Sequence, residues 1–109
     1  MESVAVSVKA KGEYSLPLQL SANTRALWTY QTEGYDIGFS CRWFPVDAVE
    51  EVEVTAPGRV QSHKLPQQGR YDAACAGTLT LVWDNTFSRF RSKNLMYTVT
   101  VEEIVGDST

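Results

Sequence analysis

The sequence predicts an all-β domain, an antiparallel β-sandwich of roughly seven or eight strands, and residues 1–109 read as a single domain of that kind. Three observations carry this expectation. Apolar side chains recur at every second residue in run after run, which is the period of a half-buried strand. Glycine and proline signals separate those runs at short spacing. No segment shows a helical stripe; 46–54 comes closest, but Val52 and Val54 fit strict alternation better.

The runs follow in order. Val4, Val6 and Val8 alternate with Ala5, Ser7 and Lys9, and Tyr14, Leu16, Leu18 and Leu20 alternate with polar residues and Pro17. Pro17 has no N–H to give to a ladder, so its strand is expected at a sheet edge or at a bulge. Lys11-Gly12 divides these two runs, and Glu33-Gly34 divides the run ending at Thr32 from the next. Short glycine loops of this kind predict hairpins between antiparallel neighbours. Tyr35, Ile37, Phe39, Cys41 and Trp43 form an aromatic-rich, proline-free run expected at the centre of a sheet, and Thr78 to Trp83 forms a second. Between them, Pro57-Gly58 punctuates the chain after Val52-Glu53-Val54, and Ser62 to Ala76 is polar enough to predict a loop with at most a short strand. Leu95, Tyr97, Val99 and Val101 make the last run, and Gly106–Thr109 is expected to fray.

Composition removes several function classes. Hydrophobic residues at 43% and aromatics at 11% suffice for one packed core. A net charge of -3 with a sequence pI ≈ 5.0 is the wrong sign for a nucleic-acid-binding domain. Cys41 and Cys75 are too few for a disulfide framework and predict two free, buried thiols. None of Asn23, Asn85 and Asn94 opens a glycosylation sequon, and no apolar run reaches the length of a signal core or a membrane span. A cytoplasmic domain is the expectation.

Candidate chemistry is sparse. His63 is the only histidine, and neither cysteine lies in a C-x-x-C pair, so zinc, redox and triad chemistry lack their parts. The seven glycines are scattered at turns rather than gathered into a phosphate loop. No catalytic, cofactor-binding or metal-binding residue is expected, and no cofactor. Trp28, Trp43 and Trp83 could stack on sugars, but their periodic positions predict core packing. Glu50, Glu51 and Glu53 read as the wet side of a strand, where acidic groups discourage pairing with other chains.

The most distinctive stretch runs from Leu81 to Ser88, where a strand reaches Trp83 and stops at Asp84-Asn85. Asp and Asn end strands because their side chains bond nearby backbone groups. Trp83 is expected as a core anchor, with Asp84 and Asn85 holding the corner. With Phe87, Ser88, Ser92-Lys93 and Tyr97, this stretch resembles the C-terminal signature of GOLD (Golgi dynamics) domains. Trp28 before Asp36-Ile37-Gly38-Phe39 is similar to an earlier family motif. Ser62-His63-Lys64-Leu65-Pro66 with Gly69, and then Gly77, resemble the cytosolic Sec14-like members. The resemblance covers about 14–103. It implies a jelly-roll-like sandwich and a non-catalytic protein–protein interaction module in Golgi or vesicle trafficking, or attached to a lipid-transfer protein. It also implies a cytoplasmic place, peripheral at Golgi or endosomal membranes.

Arg89, Phe90, Arg91 and Lys93 form a candidate contact surface, because cations beside aromatics grip acidic protein groups or anionic lipid headgroups. The competing reading is a solvated loop with Phe87 tucked into the core. The alternative function is therefore a peripheral membrane module that reads headgroups through this basic loop.

Overall fold

The computed structural model of the chain describes residues 3–105; the tail expected to fray, Gly106–Thr109, lies outside them. Eight strands succeed one another: β1 (Val4–Val8), β2 (Glu13–Leu20), β3 (Thr24–Thr32), β4 (Ile37–Pro45), β5 (Val52–Val60), β6 (Gln67–Ala73), β7 (Gly77–Asp84) and β8 (Lys93–Glu103). They form two four-stranded sheets, ordered β1-β8-β3-β6 and β2-β7-β4-β5. Every pairing is antiparallel. This is the two-sheet, eight-strand order of a jelly roll, and the predicted sandwich stands. Among the described residues no helix is long and apolar enough to cross a membrane.

The alternation read from the sequence becomes the sandwich interior. Ile37, Phe39, Cys41 and Trp43 face inward along β4, and Leu79, Leu81 and Trp83 along β7, all buried. Tyr30, Leu95 and Tyr97 meet them from the opposite sheet. Trp83 is fully buried at the centre, its ring 5.1 Å from Tyr97, 5.6 Å from both Tyr30 and Phe39, and 6.1 Å from Tyr14. Trp28 packs on Phe39 and Trp43 on Tyr71. All three tryptophans are therefore packed in the interior. The central placing of β4 and β7 and the edge placing of Pro17 in β2 agree with the sequence.

Several local expectations are corrected. The glycine loops at Lys11-Gly12 and Glu33-Gly34 do not close hairpins: β1 and β2 lie in different sheets, as do β3 and β4. Lys11 (φ 66°) and Gly34 (φ 74°) take left-handed backbone there, turning the chain out of one sheet and into the other. Only β4 and β5 pair as consecutive strands. Pro57-Gly58 does not break the chain; β5 continues through it as an edge strand, with register shifts against β4 opposite Ser40 and beyond Cys41. An edge tolerates this because Pro57 needs no outward ladder bond.

The polar stretch Ser62 to Ala76 contains a full seven-residue strand, β6. Its inward positions are filled by Gln67, Gly69, Tyr71 and Ala73, of which only Tyr71 is large and apolar. Gly69 lies opposite Trp28, and a Cβ at Gly69 would stand 2.4 Å from the indole. Tyr35, read as the first inward residue of its run, is exposed and precedes β4. Cys41 is buried as expected, but Cys75 is exposed in the bend between β6 and β7.

Candidate functional site

The corner between β7 and β8 is built by the residues the sequence singled out. Asp84 closes β7, and its Oδ1 accepts a 2.7 Å hydrogen bond from the Thr86 N–H, the short loop-back that lets Asp end a strand. Asn85 is wholly buried. Its Nδ2 donates to the carbonyls of Val8 (3.0 Å), Lys9 (3.2 Å) and Arg91 (2.8 Å). The opposite amide orientation would set an oxygen against three carbonyl oxygens, so this one is dictated by its surroundings. The Asn85 N–H also donates to Gly12 O at 2.9 Å, and the Lys11 N–H donates to Asn85 O at 3.1 Å. Asn85 thus fastens the β1–β2 corner to the β7–β8 corner. Ser88 clamps the far side of the loop, its hydroxyl donating to Arg91 O (3.1 Å) and accepting from Arg91 N–H (3.2 Å).

Around this frame lies a ladder of cations and rings. The Arg59 guanidinium and the Lys93 ammonium flank Phe87 at 4.1 and 4.5 Å from its centroid, within cation–π range. Arg59 pairs with Asp36 at 2.9 Å, and that hydrogen bond holds the Asp36 carboxyl below the usual carboxylate range. Lys93 is only 2% exposed and donates to Asp36 O at 2.9 Å; burial lowers its pKa. Arg91 covers the Tyr35 ring at 4.3 Å and donates to its hydroxyl.

The four contact residues expected from the sequence therefore separate. Lys93 is directed inward and is withdrawn from any contact surface, and Arg91 leans back on Tyr35. Arg89 is exposed and Phe90 stands 92% exposed. Phe87 is not tucked into the core but half-covered between two cations.

Two features escape a linear reading. The first is charge segregation. The registers Val8↔Lys93, Glu13↔Asp84, Thr32↔Leu95 and Ile37↔Val60 put four connections, residues 9–12, 33–36, 61–66 and 85–92, at one end of the sandwich. That end gathers Lys9, Lys11, Arg59, Lys64, Arg89, Arg91 and Lys93 against Glu13, Glu33, Asp36 and Asp84, an excess of positive charge. The opposite end carries Asp47, Glu50, Glu51, Glu102 and Glu103. Among the described residues, ion pairs engage Arg25, Arg42, Arg59 and Arg70, leaving Lys9, Lys11, Lys64, Arg89 and Arg91 with no carboxylate partner.

The second feature is a sheet edge. Four strands are edges: β1, β6, β2 and β5. Pro17 interrupts β2, Pro57 and register shifts interrupt β5, and β1 is only five residues long. β6 offers seven residues without proline. Beside it, Leu27, Thr29, Gln68, Arg70, Thr98 and Thr100 line an open trough of about 790 Å³ on the outer face of the sheet. No group of three His, Cys, Asp or Glu side chains that could hold a metal ion occurs among the described residues.

No family model matches the chain. It is 28% identical over 102 residues to Protein ctg-1 of Caenorhabditis elegans, a match covering 90% of this chain and 27% of that protein. It is 33% identical over 81 residues to FYVE and coiled-coil domain-containing protein 1 of Homo sapiens, covering 72% of this chain and 6% of that protein. The Mus musculus protein of the same name matches at 32% over 81 residues. The chain spans only a small part of the length of each relative. A solved structure described as "CBM4 structure and function" aligns with 93% of this chain and 82% of its own, at TM-score 0.46 and 13% identity.

Proposed function

We propose that this chain is a GOLD-type, non-catalytic interaction domain. It would serve a cytoplasmic trafficking or lipid-transfer protein that works at Golgi or endosomal membranes. The motif residues support the family reading by the work they do: Trp83 anchors the core, while Asp84, Asn85 and Ser88 hold one corner. The much greater length of the relatives supports the reading of a module in a longer protein. One human relative is named for its FYVE and coiled-coil domains, which fits a role of joining a multi-domain chain to a partner.

The observation that carries the interaction reading is the β6 edge. A partner segment in extended form would add a strand beside Gln67–Ala73, taking its main-chain hydrogen bonds from the open side of β6. Side chains on alternate residues would reach the trough over Leu27. Arg70, whose side chain is 60% exposed, favours an acidic residue opposite it.

The test is selection of random extended peptides on the folded domain, followed by amide NMR. Binding should shift the amides of 67–73 and slow their hydrogen exchange, and Arg70→Glu should reverse the charge of the residue selected opposite. Peptides that bind while leaving β6 unshifted would refute the strand-addition reading.

A further inference from the structure

We propose that the basic end of the sandwich docks on an anionic phospholipid bilayer, with the Phe90 ring entering among the headgroups. This goes beyond the strand-addition reading and uses a different face of the molecule.

Phe90 is the starting point. A phenyl side chain 92% exposed at a loop tip is held out by its own loop, because the Asn85 and Ser88 bonds fix both flanks. The core corner beneath is already filled by Trp83 and Asn85, both fully buried. The ring has arginines on either side in the chain, Arg89 and Arg91.

Charge supplies the second argument. Lys9 and Lys11, Lys64, and Arg89 come from three different connections at this end, and none has a carboxylate partner among the described residues. Cations spread across a whole end suit a broad negative surface, to which each basic side chain adds separately. The acidic opposite end makes the molecule a dipole that an anionic surface would turn basic end first.

The apolar component separates a bilayer from an acidic protein. A protein hot spot is a buried cluster ringed by polar groups. Here the exposed apolar groups, Phe90, Leu65, Tyr35 and Phe87, come from three different connections and stand among the cations, with Arg59 over Phe87 and Arg91 over Tyr35. Burying scattered apolar side chains while neutralising scattered cations is the way a headgroup layer receives a peripheral domain.

The experiment is co-sedimentation of this chain with vesicles of phosphatidylcholine alone and of phosphatidylcholine with about one-fifth phosphatidylserine. Binding is expected only to the anionic vesicles and should weaken as salt rises. Phe90→Ala should weaken it on the order of tenfold. Lys64→Glu with Arg89→Glu should weaken it by at least as much, while Arg42→Glu, on a sheet face, should leave it unchanged. All four positions are exposed, and unchanged thermal unfolding verifies that the variants fold. Free inositol phosphate and a polyglutamate peptide complete the set. If inositol phosphate competes at low concentration, the site reads a particular headgroup at this same end, and docking on lipid stands. Absent or charge-independent vesicle binding, loss on Arg42→Glu, or capture of polyglutamate without vesicles would each overturn the proposal.

Discussion

Asn85 makes three side-chain hydrogen bonds where its neighbour Asp84 makes one, although both lie in one motif with Trp83. Trp83→Ala would empty the centre of an aromatic cluster and should cost about 3–5 kcal/mol. Asp84→Ala loses one bond to Thr86 N–H and should cost on the order of 1–2 kcal/mol. Asn85→Asp is the sharper test, since a buried carboxylate would face three carbonyl oxygens. Its folded-state pKa would be raised, so the stability it allows is present below about pH 4 and lost as pH rises through the folded pKa. Urea denaturation should therefore find Asn85→Asp weakest at neutral pH and partly recovered in acid. A pH-independent loss would show that the donor role is misassigned. The corner was legible in the sequence because Trp, Asp and Asn each have a narrow repertoire. Lys93 was misplaced beside Arg89 and Arg91 by their common spacing, yet it shares parity with Leu95 and Tyr97, the inward row of β8. That row foretold its burial.

Among the elements, β6 was hidden because its inward row holds too few large apolar groups to display an alternation. Gly69 is the reason. It leaves room for the Trp28 ring, whose atoms stand 2.4–2.6 Å from where a Cβ would lie. Gly69→Ala should therefore destabilise the domain by about 1–3 kcal/mol through overpacking, with a shift of the transition midpoint in thermal or chemical unfolding. A neutral outcome would mean that the indole has another place to lie. The hairpin expectations failed for a different reason. Alternation records which side chains point inward, but both sheets of a sandwich have an inner face. Periodicity therefore identifies β1, β2, β3 and β4 as strands without assigning them to sheets. That assignment comes from β7 and β8, which occupy the positions the hairpin partners would have taken.

For the whole molecule, the fold class was legible because an interior between two sheets imposes the same two-residue period everywhere. Charge segregation was not, because net charge averages over both ends and only the registers reveal which loops meet. The interior also sets a pH limit. Burial pushes the Cys41 thiol from 9.0 up to about 12 and the Tyr97 phenol from 10.0 up to about 12. Both groups stay protonated in the folded state after the unfolded chain has begun to lose its protons. Stability is therefore full below about pH 9 and falls as pH rises from there toward 12. Chemical denaturation at stepped alkaline pH should show this decline, and Cys41→Ala should remove its earliest part. A flat profile to pH 11 would contradict the burial of these groups.

The pairing of β1 with β8 and of β2 with β7 bears on how the domain is made in the cell. Val4 finds its place opposite Tyr97, so the β1-β8-β3-β6 sheet stays incomplete while the last strand is still inside the ribosome. A nascent chain halted after β7 would expose the flanks of β1 and β3, which β8 normally covers on both sides. Such contacts between distant segments make for slow, late folding. A stop between β7 and β8 should thus yield aggregation rather than a shortened working domain.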